Sequence, residues 1–311
     1  MNPIICIAGP TASGKTALAV ELALALDGEV VSCDSMQVYK RMDIGTAKPT
    51  PEERRGIPHH MIDVAEPWED YSVSRYCAQA APIVEDIVAR GKTAIIAGGT
   101  GLYLDSLIRG NDFAPFPSTG VREQLEAQAD REGIEALFAR LQQIDPGAAA
   151  RIPLSDRKRI IRALEVYLET GETITAHNLR TQQQPPRFAP VWLGLDFESR
   201  AALYSRIDAR VGQMLEAGLL EEIRSLLADG IPEKCTAMQA IGYKEFTAAL
   251  EGHCTIDQAA DLVRQSSRRY AKRQLTWFRR NRELHWLVRR PGQTDAEILS
   301  QARQLLQEND R

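Results

Sequence analysis

Short apolar runs alternate with longer stretches of helical periodicity along the first hundred residues. The runs at 3–8, 29–32 and 92–97 have the length of buried strands, and the segments 15–26 and 73–90 between them have a helical pattern. Strands that alternate with helices are typical of βαβ units. The pattern therefore predicts an α/β fold with a parallel sheet flanked by helices.

The pattern changes beyond residue 112. A turn-rich stretch at 113–120 and a linker rich in glutamine and proline at 181–186 enclose a region whose apolar residues recur three and four positions apart. This spacing is helical, so we expect a helical insertion domain over 113–187. The α/β core is predicted to consist of the two flanking parts of the chain, 1–112 and 188–311.

The strand and helix pattern resumes after the insertion. The apolar run at 191–195 has the length of a strand, and long helical segments are predicted at 199–227 and 255–281. At 311 residues the chain is long enough for about two domains with a proper hydrophobic core.

Composition narrows the functional classes. Apolar residues make up 44% of the chain and charged residues 26%, which excludes disorder as the main state. The net charge of −4 excludes a globally basic nucleic-acid coat protein but leaves room for a local basic face.

Cysteine usage and hydropathy indicate the compartment. The five cysteines are odd in number and none has C-x-x-C spacing, so we expect free thiols in a reducing compartment and no zinc cluster. Apolar stretches fall short of a membrane span, and the N-terminus runs directly into a strand rather than a signal peptide. We expect a cytoplasmic protein that is a monomer, with no membrane association and no obligate protein partner.

A glycine-rich loop follows the first predicted strand and precedes a helix. It fits G-x-x-x-x-G-K-[ST], the P-loop pattern, in which backbone N–H groups and a helix N-terminus face phosphate oxygens. The lysine of this pattern reaches a terminal phosphate, and the hydroxyl after it suits Mg²⁺, which makes Thr16 the candidate metal ligand. The predicted phosphate site consists of Gly9, Pro10, Thr11, Ala12, Ser13, Gly14, Lys15 and Thr16.

Two further strand ends carry candidate chemistry. Asp34 follows the second predicted strand, at the sheet edge where open α/β folds bind ligands. Its position is equally consistent with a metal ligand, a general base or a cap of the following turn. The Gly98–Gly101 turn ends another strand, and it is either a tight turn or a second substrate contact that presents Thr100 to the cleft.

The chain resembles the bacterial tRNA dimethylallyltransferases, also called tRNA isopentenyltransferases. The matching segments follow the family's order and span nearly the whole chain. They are GPTASGKT at 9–16, DSMQVYKRMDIGTAKP at 34–49, PHHMID at 58–63, AGGTGLYL at 97–104, SDRKRIIRALEVY at 155–167, YSRIDARVGQMLEAGLLEEI at 204–223, AMQAIGYKEF at 237–246 and SRRYAKRQLTWFRR at 267–280.

The resemblance implies a reaction. In this family the P-loop binds the diphosphate of dimethylallyl diphosphate, and N6 of adenosine 37 in the tRNA anticodon loop attacks the prenyl group, which gives N6-(dimethylallyl)adenosine and diphosphate. Asp34 matches the family's catalytic base and Thr100 its threonine in the same cleft. A leaving diphosphate needs cations and N–H donors, and the attacking amine needs a carboxylate for its proton.

The resemblance also implies where the anticodon stem-loop binds. The helical insertion is expected to grip it, and Arg157 adds to the basic cluster there. Lys158 stands where some members have glutamine, which favours a phosphate contact. The implied tRNA-binding residues are Asp34, Ser35, Met36, Gln37, Thr100, Arg122, Lys158, Arg159, Ile160, Ile161, Arg162, Ala240, Ile241, Gly242, Tyr243, Lys244 and Glu245.

The segment 264–290 is a second candidate for RNA contact. It holds ten basic residues and the single acid Glu283, a net charge of +9, so the rest of the chain carries −13. Such asymmetry is typical of a protein that binds a phosphate backbone. Four aromatic residues lie among the basic ones at a spacing that favours core packing: Tyr270, Trp277, Phe278 and Trp286.

Two other functions remain open on the residues alone. A small-molecule or nucleotide kinase would also carry a P-loop, and its insertion would be a lid whose arginines at 157–162 hold ATP phosphates. A non-catalytic RNA-binding switch would use the loop as a nucleotide sensor. Asp34 and Thr100 at two strand ends argue against the switch, and a requirement for prenyl diphosphate rather than ATP separates the transferase from the kinase.

Overall fold

A six-stranded parallel sheet forms the centre of the chain. The computed structural model describes residues 4–111 and 119–309, so most of the predicted connection at 113–120 lies outside the described residues. The strands lie in the order β3-β2-β4-β1-β5-β6, and every neighbouring pair is parallel. They are β1 (Ile4–Ala8), β2 (Gly28–Ser32), β3 (His59–His60), β4 (Thr93–Gly98), β5 (Val191–Phe197) and β6 (His285–Arg289).

Helices cover both faces of this sheet, which confirms the predicted fold class. Residues 4–110 and 187–309 form one compact unit that contains all six strands. Its helices are α1 (Lys15–Ala25), α2 (Pro51–Arg54), α3 (Val73–Ala89), α4 (Gly101–Arg109), α10 (Arg200–Glu216), α11 (Leu219–Ala228), α12 (Tyr243–Leu250), α13 (Ile256–Phe278) and α14 (Asp295–Asn309).

The central strand β1 divides its side chains between two apolar layers. Ile5 and Ile7 pack with α1 and α14 on one face, and Cys6 and Ala8 belong to the larger cluster on the other face. Side chains alternate between the faces of a strand, so a strand buried on both sides is apolar throughout. This burial fixes the loop after Ala8 at the carboxyl edge of the sheet.

The predicted single helix at 199–227 is wrong. The segment forms two helices, α10 and α11, because Gly218 between them has a left-handed backbone with φ of 98°. Glycine adopts this conformation without the steric penalty that a Cβ adds. Strand β6 and helix α14 lie in a region for which the sequence analysis offered no elements.

The second compact unit consists of residues 111–186, and its described part, residue 111 and residues 119–186, contains five helices. Their core includes Leu137 and Leu141, which are four positions apart, and Ile160 and Leu164, which have the same spacing. The helices are α5 (Val121–Glu132), α6 (Ile134–Ile144), α7 (Pro146–Ala149), α8 (Arg157–Thr170) and α9 (Ile174–Gln183).

Candidate active site at the carboxyl ends of the central strands

The P-loop joins β1 to α1 in the geometry of an anion site. Gly14 precedes the first turn of α1 with φ of 94°, a left-handed conformation that suits glycine. Gly9 lies so close to the backbone of Leu195 that a side chain there would collide with it. The loop therefore presents the N-terminus of an 11-residue helix to the cleft, where its dipole favours negative charge.

Lys15 is the cation of the loop itself. Its Nζ atom donates to the carbonyl of Pro10 at 2.8 Å. Burial lowers the pKa of Lys15 from 10.5 to about 8, although the negative charge of Asp34 opposes this change. The positive charge of Arg210 contributes to the lowering. An anion bound in the loop would reverse this balance, because it would stabilise the protonated amine.

Two arginines of α10 complete the positive charge around the loop. Arg206 donates from Nε to the carbonyl of Ala12 at 3.0 Å, and Arg210 donates from Nη1 to Oγ1 of Thr11 at 3.2 Å. Burial lowers the pKa of Arg210, and Asp34 opposes that shift. The sequence analysis missed both arginines. Their i, i+4 spacing on a predicted helix, within a segment that carries the family resemblance, was the available signal.

The backbone N–H of Thr11 is not available to a ligand. It donates to Oε1 of Gln274 in α13 at 2.9 Å. A backbone donor aligned on one acceptor cannot also serve another strongly, so this N–H is engaged by Gln274, and the predicted contact of Thr11 with the diphosphate stays a prediction.

The loop opens into a cleft of about 840 Å³. Lys48 lies at its edge, but its ammonium is bound to Asp43 at 2.7 Å and to Asp63 at 2.5 Å, so these two carboxylates neutralise it. Among the described residues, the cations that line the cleft without a carboxylate at salt-bridge distance are Lys15 of the P-loop, Arg206 and Arg210 of α10, and Arg54 of α2, whose Nε donates to the carbonyl of Pro49 at 2.9 Å. The lining includes Ala12, Ser13, Gly14, Lys15, Thr16, Pro49, Arg54, Arg206, Arg210 and Met214.

Asp34 lies directly after β2, half-buried at the same edge of the sheet. Its Oδ1 atom accepts hydrogen bonds from the backbone N–H groups of Met36 at 2.9 Å and Gln37 at 3.4 Å. The turn-capping role considered from the sequence is therefore present. It occupies one carboxylate oxygen, and the charge of Asp34 acts on both Lys15 and Arg210 across the cleft.

Thr100 binds the same turn from the neighbouring strand. Its Oγ1 atom accepts from the N–H of Ser35 at 3.1 Å and lies 3.4 Å from Oγ of the same serine. The structure thus brings the three candidates Asp34, Ser35 and Thr100 together at one point of the sheet edge.

Tyr270 of α13 adds a residue that the sequence analysis assigned to the core. Its hydroxyl interacts with Thr100 and Gln274, and burial together with the charge of Asp34 raises its pKa to about 12. It therefore stays protonated at neutral pH and can donate a hydrogen bond there. The other three aromatic residues of the segment pack as expected: Trp277, Phe278 and Trp286.

The glycines of the second turn exist because of close packing. A side chain at Gly98 would collide with the backbone of Cys33, one at Gly99 with the amide of Gln274, and one at Gly101 with the indole of Trp277. The turn is therefore pressed between β2 and α13, a tighter arrangement than the simple turn considered from the sequence.

Gln37 has an internal role. Its Oε1 accepts from the hydroxyl of Ser32 at 2.9 Å, and its Nε2 donates to the carbonyls of Thr46 and Ala47 at 3.2 and 3.1 Å. Both ends of the side chain therefore support the loop that follows β2, and the implied tRNA contact at Gln37 stays a prediction. Met36 is partly exposed beside it.

Residues 240–245 divide into buried and accessible members. Tyr243 is fully buried and donates to Glu222 at 2.6 Å, while Glu245 is buried and accepts from the N–H of Gly242 at 2.8 Å. Their side chains hold this segment together, and the implied tRNA contact of the segment stays a prediction. Lys244 is exposed, and Ala240 and Ile241 are partly exposed.

The predicted strip on α8 is also split. Ile160 and Ile161 are 0% and 2% exposed in the core of the insertion, so their side chains cannot meet RNA. The implied contact of this stretch of α8 with tRNA stays a prediction. Lys158 is exposed.

Acidic side chains neutralise most of the arginines in this unit. Arg157 binds Glu126 at 2.7 Å and Asp130 at 2.6 Å. Arg159 pairs with Asp156, and Arg122 and Arg162 share Glu165. Residues 111–186 contain nine basic and eleven acidic side chains, a net charge of −2. The local cluster in the sequence therefore overstated the positive charge of the insertion.

Helix α13 carries a more open basic surface. Arg269, Lys272 and Arg273 are exposed on one side of the helix, and we call them the basic face. Within the described parts of the chain, none of the three has an acidic partner at salt-bridge distance. The guanidinium of Arg273 also lies over the ring of Tyr270, 5.6 Å from its centroid, so the basic face reaches the edge of the candidate site.

The cleft suits a divalent cation that binds together with phosphates. Thr16 lines the cleft, and the buried hydroxyl of Ser13 has no hydrogen-bond partner. Among residues 4–111 and 119–309 there is no group of three or more acidic, histidine or cysteine side chains that could hold a metal alone. Magnesium is commonly held by one or two protein oxygens and by substrate phosphates, so these residues fit it.

Comparison with known proteins decides the family. The model of the IPP transferase family matches residues 37–281, more than half of the chain. The chain belongs to the IPP transferase family. Curated relatives named tRNA dimethylallyltransferase support this over nearly the full length. The protein from Carboxydothermus hydrogenoformans is 49% identical over 91% of both chains, and that from Geobacter metallireducens is 46% identical over 96% of this chain and 95% of its own.

Solved structures of IPP transferases share the fold. The tRNA isopentenylpyrophosphate transferase of Bacillus halodurans is 40% identical with a TM-score of 0.73, covering all of this chain and 98% of its own. A eukaryotic dimethylallyltransferase, described as acting on tRNA, is 30% identical with a TM-score of 0.78 over 93% of this chain and 74% of its own. The likeness confirms the α/β fold that the sequence predicted, and these relatives favour the transferase over the kinase.

Proposed function

We propose that this chain transfers the dimethylallyl group of dimethylallyl diphosphate to N6 of adenosine 37 in tRNA and releases diphosphate. The observation that carries the proposal is the position of Asp34. It lies at the sheet edge within electrostatic reach of Lys15 and Arg210, two of the cations around the P-loop. A base for the amine and charges for the leaving group thus occupy one cleft.

The leaving group is stabilised by the P-loop side. As the bond between C1 and the bridging oxygen breaks, its electron pair passes to the diphosphate. Lys15, Arg210 and the N-terminus of α1 face that developing charge, and removing one such contact typically costs about 10²–10³ in rate. Mg²⁺, held by the phosphates and Thr16, would supply further charge neutralisation when bound.

The nucleophile is served by the opposite side of the site. The amine of adenine is weak because its lone pair is delocalised into the ring, so a carboxylate that accepts its proton as the C–N bond forms raises the rate. Asp34 is the candidate for this step, since its Oδ1 is held by Met36 and Gln37 and its carboxylate cannot turn freely. The hydroxyl groups of Thr100 and Tyr270 lie beside it, and Thr100 accepts from the N–H of Ser35.

The basic face of α13 is the proposed site for the backbone of the anticodon stem-loop. Arg269, Lys272 and Arg273 are exposed, and Arg273 lies against Tyr270, which itself contacts Thr100. Phosphates bound there would hold the loop beside Asp34 while the target base is flipped out of its stack. Lys158, Lys244 and the exposed parts of Arg122, Arg159 and Arg162 remain predicted RNA contacts.

The experiment supplies two labelled donors in parallel. The purified chain receives tRNA with Mg²⁺ and either dimethylallyl diphosphate labelled in the prenyl group or ATP labelled in the γ-phosphate. We expect label in the tRNA from the prenyl donor only, with no inhibition by excess ATP. Phosphate transfer from ATP would instead support a kinase, and binding of tRNA without any transfer would support a non-catalytic switch.

No helix among the described residues is long and apolar enough to span a membrane. We expect the reaction to take place in the cytoplasm.

A further inference from the structure

Gln274 connects the two halves of the proposed site. Its side chain is 5% exposed, in the last two turns of α13. Oε1 accepts from the N–H of Thr11 in the P-loop at 2.9 Å, and Nε2 donates to the carbonyl of Gly99 at 2.9 Å. One amide therefore binds the diphosphate loop and the turn that carries Thr100.

The contact is specific to an amide. Thr11 offers a donor and Gly99 an acceptor, so the side chain between them must accept at one end and donate at the other. Among the natural side chains of this length only glutamine does both without a change of protonation. The packing supports the same conclusion, because a side chain at Gly99 would collide with the amide of Gln274.

The neighbouring residues extend the connection to both substrates. Thr11 also accepts from Arg210, a cation of the diphosphate side. Tyr270, one turn before Gln274, interacts with Gln274 and with Thr100, which holds the N–H of Ser35 next to Asp34. The chain of contacts therefore runs from the loop that binds the leaving group to the turn that carries the base.

We propose that Gln274 is a positioning residue that fixes the distance between the diphosphate site and the Asp34–Thr100 pair. This inference rests on the proposed function and deepens it. In-line attack requires the prenyl carbon and the amine within about 3–3.5 Å, and a displacement of about 1 Å can lower the rate by about 10²-fold. The amide is placed to prevent such a displacement, because it holds both loops from the rigid helix between them.

The decisive variant is Gln274→Glu. One oxygen of the introduced carboxylate can still accept from Thr11, but the other faces the carbonyl of Gly99, and two acceptors repel. Protonation converts that oxygen into a donor and restores the pair. Burial favours the protonated form of the introduced carboxyl group, and the negative charge of Asp34 favours it too. The positive charges of Lys15 and Arg210 favour the ionised form. Tyr270, the remaining titratable neighbour, stays neutral over the range tested.

The measurement is the single-turnover rate of prenyl transfer to tRNA between pH 5.5 and 8.5, expressed as the ratio of variant to wild type at each pH. We expect a ratio of about 10⁻² at pH 8 that rises at least tenfold toward pH 5.5, with unchanged tRNA affinity. Gln265→Glu, the same change at an exposed position of the same helix, is the matched control and should give a flat ratio near one. Gln274→Leu should be slow at every pH.

Three results would overturn the inference. A ratio near one for Gln274→Glu at pH 8 would show that the connection is not needed. A low ratio without recovery at low pH, together with a lowered melting temperature, would reduce Gln274 to a folding residue. A rate for Gln274→Leu equal to that of wild type would show that the hydrogen bonds of Gln274 do not position the two loops. If the wild-type chain itself transfers no prenyl group, the proposed function fails first, and Gln274 then has no reaction to position.

Discussion

The lowered pKa of Lys15 leads to a specific pH dependence of donor binding. Burial places this pKa at about 8 in the free protein. Only the protonated amine attracts the diphosphate, so affinity for dimethylallyl diphosphate should be full below pH 8 and fall above it. Because binding is linked to protonation, the affinity should fall about tenfold per pH unit above pH 8, until the pH reaches the pKa that Lys15 has in the donor complex. Between pH 8 and pH 9.5 the expected loss is roughly tenfold to thirtyfold.

The variant Lys15→Arg tests the cause. A guanidinium stays protonated throughout this range, so the variant should bind the donor with little pH dependence between 7 and 9.5. Arg210, which donates to Thr11 in the loop, provides the remaining attraction. The assay is calorimetric titration of dimethylallyl diphosphate into the protein with Mg²⁺, in buffers matched for ionic strength.

Two outcomes would refute this reasoning. If wild-type affinity is flat from pH 7 to pH 9.5, Lys15 does not titrate at about 8 or does not bind the diphosphate. If Lys15→Arg loses affinity above pH 8 just as the wild type does, another group titrates. Lys15→Ala should weaken donor binding at every pH and leave tRNA affinity unchanged, which separates the two substrates.

Three further predictions concern other parts of the chain. Asp34→Asn keeps an acceptor for the N–H of Met36 but removes the basicity of the side chain, so the single-turnover rate of transfer should fall by about 10²–10⁴ while both substrate affinities stay intact. A near-normal rate would remove Asp34 from the mechanism. Lys272→Ala with Arg273→Ala should flatten the salt dependence of tRNA binding by roughly one log–log unit per lost phosphate contact or slightly less; an unchanged slope would place the RNA elsewhere. The hydrogen bonds of Arg90 lower the pKa of the buried Glu29 to about 2, so their stabilisation is present above pH 4.5 and lost toward pH 2. Arg90→Met should therefore lower the free energy of unfolding at pH 7, and this difference from wild type in urea unfolding should vanish in acid.

The parts of the site that the sequence predicted are encoded within short segments. The P-loop and Asp34 each follow an apolar strand, and the parallel sheet alone brings their strand ends to one edge. Arg210 and Gln274 escaped prediction because they reach the loop from helices 199 and 263 residues later in the chain. The apolar periodicity of a helix shows which of its faces is buried, but it does not predict which residues of that helix contact a loop far away in the sequence.

Charge was the least predictable property. Arg157 stands in a dense basic segment, yet Glu126 and Asp130 on another helix neutralise it. The basic residues of α13 were also predicted from the local number of charges in the sequence, and those of its basic face are exposed. Local sequence gives the positions of charges, whereas tertiary contacts determine which of them face solvent without a partner.

The break at Gly218 illustrates a competing signal. Apolar periodicity continued through the segment and favoured one helix, but the backbone at this glycine is left-handed and ends it. Because α10 stops there, Arg206 and Arg210 lie on a separate helix whose direction toward the P-loop is set independently of α11.

The most direct test of the account is the identity of the modified nucleoside. The wild-type chain, dimethylallyl diphosphate and Mg²⁺ are incubated with tRNA that lacks this modification, and the nucleosides are then analysed by mass spectrometry after digestion. The account predicts one prenyl group on N6 of adenosine 37, with equimolar diphosphate released and no product from Lys15→Ala on the same time scale. Unmodified tRNA after complete binding of both substrates, or a prenyl group on another nucleoside, would contradict it.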